Sequence, residues 1–290
     1  MPSTRELRAR IKSVKSTRQI TKAMELVAAA KMRKASEATL TSRPYVRRAS
    51  EVVFDLIKRP VAGVTHPLIA DREVKSVLVF AIASDRGLAG AYNANLGKAT
   101  LTFHKEQENL GRKVSFLSMG KSIDRLLRKA GVNLIQSYQH TPTHPTTADL
   151  VPVSKYMVES FLSGTVDQVV VAYTDFRSLL AQDVVLKTIL PLQPPTPEHP
   201  LDDNRYFKYE PSPAAVLNAV LPRLLEAELY QCLQESLASE HASRRMAMKS
   251  ATDNASDMID DLTLTYNGVR QGSITQELAE ITGGAAALGA

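Results

Sequence analysis

Two long helices, one at each end of the chain, with a small α/β domain between them: this is the fold that the 290-residue sequence predicts. Three observations carry it. Between Ser3 and Arg59 the one helix breaker is Pro44. From Ala214 to Asn267 there is no glycine, and Pro222 is the one proline. Between these stretches, short apolar runs alternate with helical patterns, which argues a mostly parallel sheet.

Residues 1–60 are predicted as the first helix. Ser3-x-x-Glu6 is a capping box, with Ser3 as N-cap and Glu6 reaching back to its amide. Apolar residues recur at Leu7, Ile11 and Val14, then at Ile20, Met24 and Val27, with Ala23, Ala28, Ala29, Ala30 and Ala35 filling between. Residues 74–191 are predicted as the α/β domain. Its strands are Lys75–Ile82, Lys113–Ser118, Val132–Tyr138, Gln168–Thr174 and Val184–Leu190; its helices are Ala94–Asn109, Gly120–Lys129 and Thr147–Ser163. Residues 192–211 are proline-rich and read as a linker. Residues 212–290 are predicted as the last helix. Ser212 is the N-cap and Pro213 takes the first helical position. Pro222 predicts an early kink. Met248, Ala251, Ala255, Met258, Leu262, Tyr266 and Val269 step by three or four, Ile274, Leu278 and Ile281 extend the series, and Gly283-Gly284 is the expected stop. At ~1.5 Å per residue each terminal helix is expected to be about 75–85 Å long. Helices longer than a domain's diameter need each other to cover their apolar stripes, so the domain is inserted between two halves of a helical hairpin.

Charge is uneven. The net value is +6, yet residues 1–59 hold fifteen Lys/Arg against five Asp/Glu, leaving the remainder acidic. A basic arm implies an acidic partner: nucleic acid, anionic lipid or an acidic protein surface. No apolar run reaches the ~20 residues of a membrane span, and the first residues show no secretory or transit signal. The lone Cys232 excludes an internal disulfide and fits a reducing compartment.

Motifs for catalysis are weak. Ser84-Asp85-Arg86-Gly87-Leu88-Ala89-Gly90 follows the first strand but lacks the three-glycine dinucleotide fingerprint; a tight strand-to-helix turn explains it better. Gly120-Lys121-Ser122 resembles the end of a P-loop, but Ser115 stands where the first glycine belongs. His140 and His144 have no companion ligands for a metal. Cys232 reads as a small hydrophobe on a helix face, and Asp260-Asp261 as a solvated face. No catalytic site, cofactor or metal is therefore expected. A nucleic-acid arm normally interleaves aromatics among its cations, and Met1 to Pro44 contains none. A basic helical scaffold binding nucleic acid is the alternative reading, and a small α/β phosphotransfer enzyme stands behind it.

The segment Ile20-Thr21-Lys22-Ala23-Met24-Glu25-Leu26-Val27-Ala28-Ala29-Ala30-Lys31-Met32-Arg33 resembles the first-helix signature of the gamma subunits of F-type ATP synthases. Ser84–Gly90 resembles a mid-chain motif of that family. Ala247–Ala255, Ile274–Leu278, Glu280-Ile281 and Gly284-Ala285-Ala286 resemble its last helix, so the likeness spans the chain. The resemblance implies an antiparallel, left-handed coiled coil of the terminal helices with an inserted Rossmann-like, mostly parallel α/β domain. It implies a non-catalytic rotor: the central stalk of a proton-translocating ATP synthase. Its partners would be three alpha and three beta subunits, an epsilon subunit and a c-subunit ring, with no nucleic acid. Its place would be the cytoplasmic side of a bacterial plasma membrane, peripherally bound. Residues expected at subunit interfaces on this basis are Met24, Lys31, Arg33, Arg86, Tyr209, Glu210, Arg244, Lys249, Gln271, Thr275 and Glu277. The sequence departs from the family at Ala89, where many members carry cysteine, and it lacks the cysteine pair of plant-type redox control. Gly268 and Gly272 stand at helical positions usually held by better helix formers, each costing ~1 kcal/mol against alanine.

Overall fold

A computed structural model describes residues 3–58, 66–138, 141–142, 145–193 and 210–289. In chain order the elements are α1 (Thr4–Lys58), β1 (Ser76–Ile82), α2 (Tyr92–Asn109), β2 (Lys113–Met119), α3 (Lys121–Ala130) and β3 (Leu134–Tyr138). There follow a 3-10 turn (Thr147–Leu150), α4 (Val151–Leu162), β4 (Gln168–Phe176), β5 (Gln182–Leu190) and α5 (Pro213–Leu288). The chain divides into two compact units. One is Met1–Ala28 with Arg244–Ala290, and the other is Ala29–Ser243.

In the larger unit the five strands form one sheet in the order β3-β2-β1-β4-β5. The pairs β1–β2, β2–β3 and β1–β4 are parallel, and β4–β5 is antiparallel. Strand β1 is buried on both faces, so its period-2 alternation serves two cores. Leu78, Phe80 and Ile82 join Leu117, Met157, Phe161 and Val171 on one face, where Leu221, Leu225, Leu229 and Leu233 of α5 pack on them. Val77, Val79 and Ala81 join Leu96, Phe116, Ile123 and Leu127 on the other, beneath α2 and α3. Burying Phe80 alone is worth about 2 kcal/mol at the usual side-chain rate. Asp167 ties the start of β1 to β4: its Oδ2 accepts from the Lys75 and Ser76 amides at 3.0 and 2.9 Å and from the Ser76 hydroxyl at 2.8 Å.

In the smaller unit, residues 4–28 of α1 run antiparallel to α5 and lie against it from residue 244 to about residue 270. Moving up α1 from Arg8 to Thr21 moves down α5 from Tyr266 to Thr252: the Arg8 guanidinium donates to the Tyr266 hydroxyl at 2.8 Å, and the Thr252 hydroxyl donates to that of Thr21 at 2.8 Å. The capping box forms as expected, the Ser3 amide donating to Glu6 at 3.0 Å and the Glu6 amide to Ser3 Oγ at 3.2 Å. In the larger unit Ser212 caps α5, its Oγ accepting from the Ala215 amide at 3.2 Å.

The inward stripe differs from the apolar one. On α1 of the smaller unit, Leu7, Ile11 and Val14 are succeeded inward by Thr21, Glu25 and Ala28, while Ile20 and Val27 are exposed. On α5 the sequence Met248, Thr252, Ala255, Ile259, Leu262 turns inward, and Met258 is exposed. The α5 series steps alternately by four and three, and the α1 series does the same apart from one gap at the exposed Arg18, so both keep the 3.5 period of a left-handed coiled coil. Apolar residues one position out of that period fall outside, whatever their hydrophobicity.

Three further expectations fail. Residues 147–163 are a 3-10 turn followed by α4 rather than one helix; Asp149 Oδ2 accepts from the Thr146 amide at 2.7 Å and closes a separate cap there. Gly283-Gly284 does not stop α5, which continues to Leu288. Both glycines keep helical, hydrogen-bonded backbone, and glycine is a weak breaker without a left-handed conformation to terminate the helix. The 76 residues of α5 have a contour of roughly 115 Å and the 55 of α1 one of roughly 80 Å, so only the first helix has the length expected.

Candidate functional site

The place where a doubly wound sheet usually holds a ligand is the crevice beyond the carboxyl ends of its strands, at the switch between β1 and β4. Here the chain fills it with α5. The Ser236 hydroxyl donates to the carbonyl of Ile82, the last residue of β1, at 3.3 Å and meets the Tyr92 hydroxyl at 2.7 Å. The Ser239 hydroxyl donates to the Thr174 carbonyl of β4 at 3.1 Å. A nucleotide has no room at those strand ends.

The two phosphate-like segments are structural as well. Asp85 Oδ1 accepts from the Lys121 amide at 3.1 Å and Oδ2 from the Thr141 amide at 3.1 Å, so the amino end of α3 already holds a carboxylate. Gly120 has φ +98°, and a Cβ there would stand 2.2 Å from the Ala83 carbonyl oxygen. That glycine lets β2 pass the end of β1 closely before α3 begins. In the 84–90 loop Ser84 is tied to Asn93, whose side-chain amide donates to Ser84 Oγ at 2.7 Å. Gly90 turns the chain at φ +55°, and Ala89 is buried. Cys232 is fully buried on α5, and burial pushes its thiol up to about 12. His140 and His144 lie outside the described residues.

What remains are exposed faces on the terminal helices. In the smaller unit Arg5, Arg8, Arg10, Lys12, Lys15, Arg18 and Lys22 are all exposed along α1. At the far end of α5 every side chain from Arg270 to Ala285 is exposed, including Ile274, Leu278 and Ile281. The cause is length. With Arg8 opposite Tyr266, α1 begins at Thr4 and leaves α5 beyond about residue 270 without a partner helix.

The residues expected at interfaces fall into groups. Gln271 and Thr275 share a face of this bare segment, the Thr275 hydroxyl donating to the Gln271 carbonyl at 2.9 Å, and Glu277 is exposed on another face of the same helix. Met24 is half-buried and Lys249 exposed, each one turn along its own helix from the Thr21–Thr252 contact; Arg244 is half-buried. In the larger unit Lys31 and Arg33 are exposed on α1, Arg86 is exposed between β1 and α2, and Glu210 is exposed just before α5. Tyr209 lies outside the described residues.

Sequence reasoning missed a polar seam in the larger unit. From Gln231 to Ala242 every residue of α5 is buried, although seven of the twelve are polar or charged. Arg43 of α1 donates to Glu235 at 2.9 Å, to Asp175 of β4 at 3.0 Å and to the Phe176 carbonyl at 3.0 Å. Gln231 donates to Glu235 at 2.6 Å and accepts from the Ser42 hydroxyl. Lys187 of β5 pairs with Glu228 at 3.2 Å. Burial pushes the Glu235 carboxyl above its ordinary value, Asp175 adds to that, and Arg43 and Gln231 hold it back. At Lys187 burial works against the charge, but the Glu228 carboxylate outweighs it and the ammonium sits above its ordinary range. A sequence signal existed in Thr39 and Ser42, polar residues on the 3.5-period stripe of α1, yet periodic hydrophobicity skips them.

The comparisons agree with one another. The ATP synthase family model matches residues 3–288. The ATP synthase gamma chain of Pelotomaculum thermopropionicum is 43% identical over 288 residues, covering 99% of this chain and 100% of that one. The gamma chain of Legionella pneumophila is 38% identical over 290 residues, covering 99% of this chain and all of that one. Among solved structures, a chain of the Euglena gracilis mitochondrial ATP synthase rotor aligns with a TM-score of 0.65 at 17% identity, over 93% of this chain and 98% of that one. A chain of the Tetrahymena thermophila mitochondrial central stalk and c-ring aligns at 0.60 and 23% identity, over 80% of this chain and 99% of that one. At those identities the solved structures establish the fold. The family model and the relatives, matching along the whole length, establish that this chain belongs to the ATP synthase gamma-chain family.

Proposed function

We propose that the chain is the central shaft of a proton-translocating ATP synthase, coupling proton flow through the membrane sector to conformational change in catalytic subunits that surround it. The chain itself is a non-catalytic subunit. One observation carries the reading: two terminal helices pair antiparallel, one lined with exposed cations and the other outlasting its partner with an exposed face. Such faces meet protein rather than substrate.

In this reading the shaft stands within three alpha and three beta subunits, with an epsilon subunit and a c-subunit ring at its foot. Tyr209 and Glu210 belong to the foot, Met24, Lys31, Arg33, Arg244, Gln271, Thr275 and Glu277 to contacts with the surrounding ring, and Arg86 and Lys249 to subunit interfaces. The complex sits on the cytoplasmic side of a bacterial plasma membrane. Among the described residues no helix is long and apolar enough to cross a membrane, so attachment in this reading runs through the membrane sector.

The shaft works by differential contact. A lopsided surface stabilises a different conformation in each neighbour, and moving a two-state site from 1:99 to 99:1 takes about 5.5 kcal/mol. Exposed cations give long-range attraction to acidic loops without interlocking, which leaves the shaft free to turn. Co-expression with alpha and beta subunits tests this. One copy should assemble with three of each and switch on ATP turnover. Failure to assemble, together with DNA affinity that falls steeply with salt, would favour the nucleic-acid scaffold instead.

A further inference from the structure

We infer that the polar seam centred on Arg43 is a torsional lock, holding α1 and α5 in fixed register on the α/β domain so that torque applied to that domain turns the helices. The inference rests on the shaft reading and deepens it. Hydrophobic burial holds surfaces together but is non-directional. The core between α5 and the sheet is of this kind, built largely from leucines at 217, 221, 224, 225, 229 and 233. Directional bonds are what fix a register, and a buried polar group misplaced by one step loses its partner.

The larger unit concentrates such bonds at the carboxyl ends of β1 and β4 and along the antiparallel β5. Ser236 reaches β1 and Ser239 reaches β4, both through main-chain carbonyls that cannot move independently of the sheet. Ser243 donates to Gln182 of β5 at 2.9 Å, and Lys187 of β5 holds Glu228. Successive turns of α5 are thereby fastened to three strands. Arg43 is the hub, since its one guanidinium joins α1, α5 and β4. The fork geometry of arginine makes it stiff: its donors are fixed in a plane and cannot follow two carboxylates that rotate apart. The same helix segment also occupies the crevice that related sheets offer to ligands. The sheet's binding site has become a socket for its own chain.

Arg43 is a positioning residue, and its removal should weaken coupling more than it weakens catalysis. The test uses the assembled ATP synthase in membrane vesicles, with ATP hydrolysis and ATP-driven proton pumping measured side by side. For Arg43→Ala the ratio of pumping to hydrolysis should fall at least about threefold, with Arg43→Lys falling less because it keeps charge without the fork. Ser236→Ala and Ser239→Ala, which keep the helix intact, should lower the ratio in the same direction, and the two together more than either alone. If all these variants lose only thermal stability and keep the wild-type ratio, the lock is overturned. If Arg43→Ala fails to assemble, the serine variants decide, a lowered ratio supporting the lock and an unchanged one removing it. A wild-type complex that neither assembles nor pumps would instead strike at the shaft reading.

Discussion

Arg43 and Glu235, far apart in sequence, meet at 2.9 Å with the carboxylate side chain 7% exposed and the guanidinium side chain 39% exposed. The pair is asymmetric: the anion is the desolvated partner, and it shares its cation with Asp175. Removing the arginine leaves a buried carboxylate uncompensated.

Arg43→Ala should therefore destabilise the full chain by about 2 kcal/mol at neutral pH, below the 3–5 of a fully buried pair because solvent already reaches the guanidinium. The pH dependence has a definite sign. The folded-state pKa of Glu235 lies above its ordinary 4.5, so the folded chain keeps a proton that the unfolded chain has released. Ionised Glu235 is thus a cost present above the folded pKa, and it disappears as pH falls toward 4.5. The deficit of Arg43→Ala against wild type should be largest near pH 7.5 and shrink as the pH falls toward 4.5, read from urea midpoints. A deficit that grows on acidification would reverse the assignment.

Gly120→Ala should cost about 3 kcal/mol or more. Two penalties combine: φ of +98° is strained for any residue with a Cβ, and that Cβ would lie 2.2 Å from the Ala83 carbonyl oxygen and 2.8 Å from its carbon. Main chain at the end of the central strand cannot step aside. Thermal unfolding of the purified chain gives the shift directly, and a loss under about 1 kcal/mol would mean that β1 and α3 can separate there.

Gly268→Ala and Gly272→Ala should act oppositely. Both sites are exposed within α5, and a Cβ would meet nothing within 4 Å. Each should raise local helix stability by ~0.5–1 kcal/mol through lower unfolded-state entropy, seen as slower amide hydrogen exchange around residues 265–275. No gain would imply that this segment of α5 is already held by something other than its own helical bonds.

Legibility from sequence followed the strength of each physical signal. The capping box at Ser3 and Glu6, the Ser212 cap and the five strands were readable because each depends on local chemistry or on a period of two. The 3.5-period seam was readable at Leu7, Ile11 and Val14 and then lost, because its next inward residues are Thr21 and Glu25 while the nearby Ile20 and Val27 are decoys. Only the three-dimensional pairing of Thr21 with Thr252 shows why polar residues are tolerated there. The stretch from Gln231 to His241 mixes polar and apolar residues, and nothing local reveals that the ends of β1 and β4 enclose it. Interface residues such as Gln271 and Lys31 were reachable through family resemblance alone, since an exposed residue's partner is not in its own chain.

Lys31 and Arg33 bring the electrostatic proposal to a test. Both are exposed on α1, so Lys31→Glu with Arg33→Glu should leave chain stability within about 0.5 kcal/mol of wild type, as surface substitutions usually do. Their proposed role lies outside the chain, in attraction to acidic loops of beta subunits. Reversing two charges there replaces attraction by repulsion at each passage of the shaft. At 0.2–1 kcal/mol for each exposed contact, the double variant should lower ATP-driven proton pumping roughly two- to thirtyfold relative to hydrolysis. The defect should ease as ionic strength rises, because exposed charges are screened over about 8–10 Å near physiological salt. Wild-type coupling in the double variant, or a defect indifferent to salt, would show that these cations do not carry the contact.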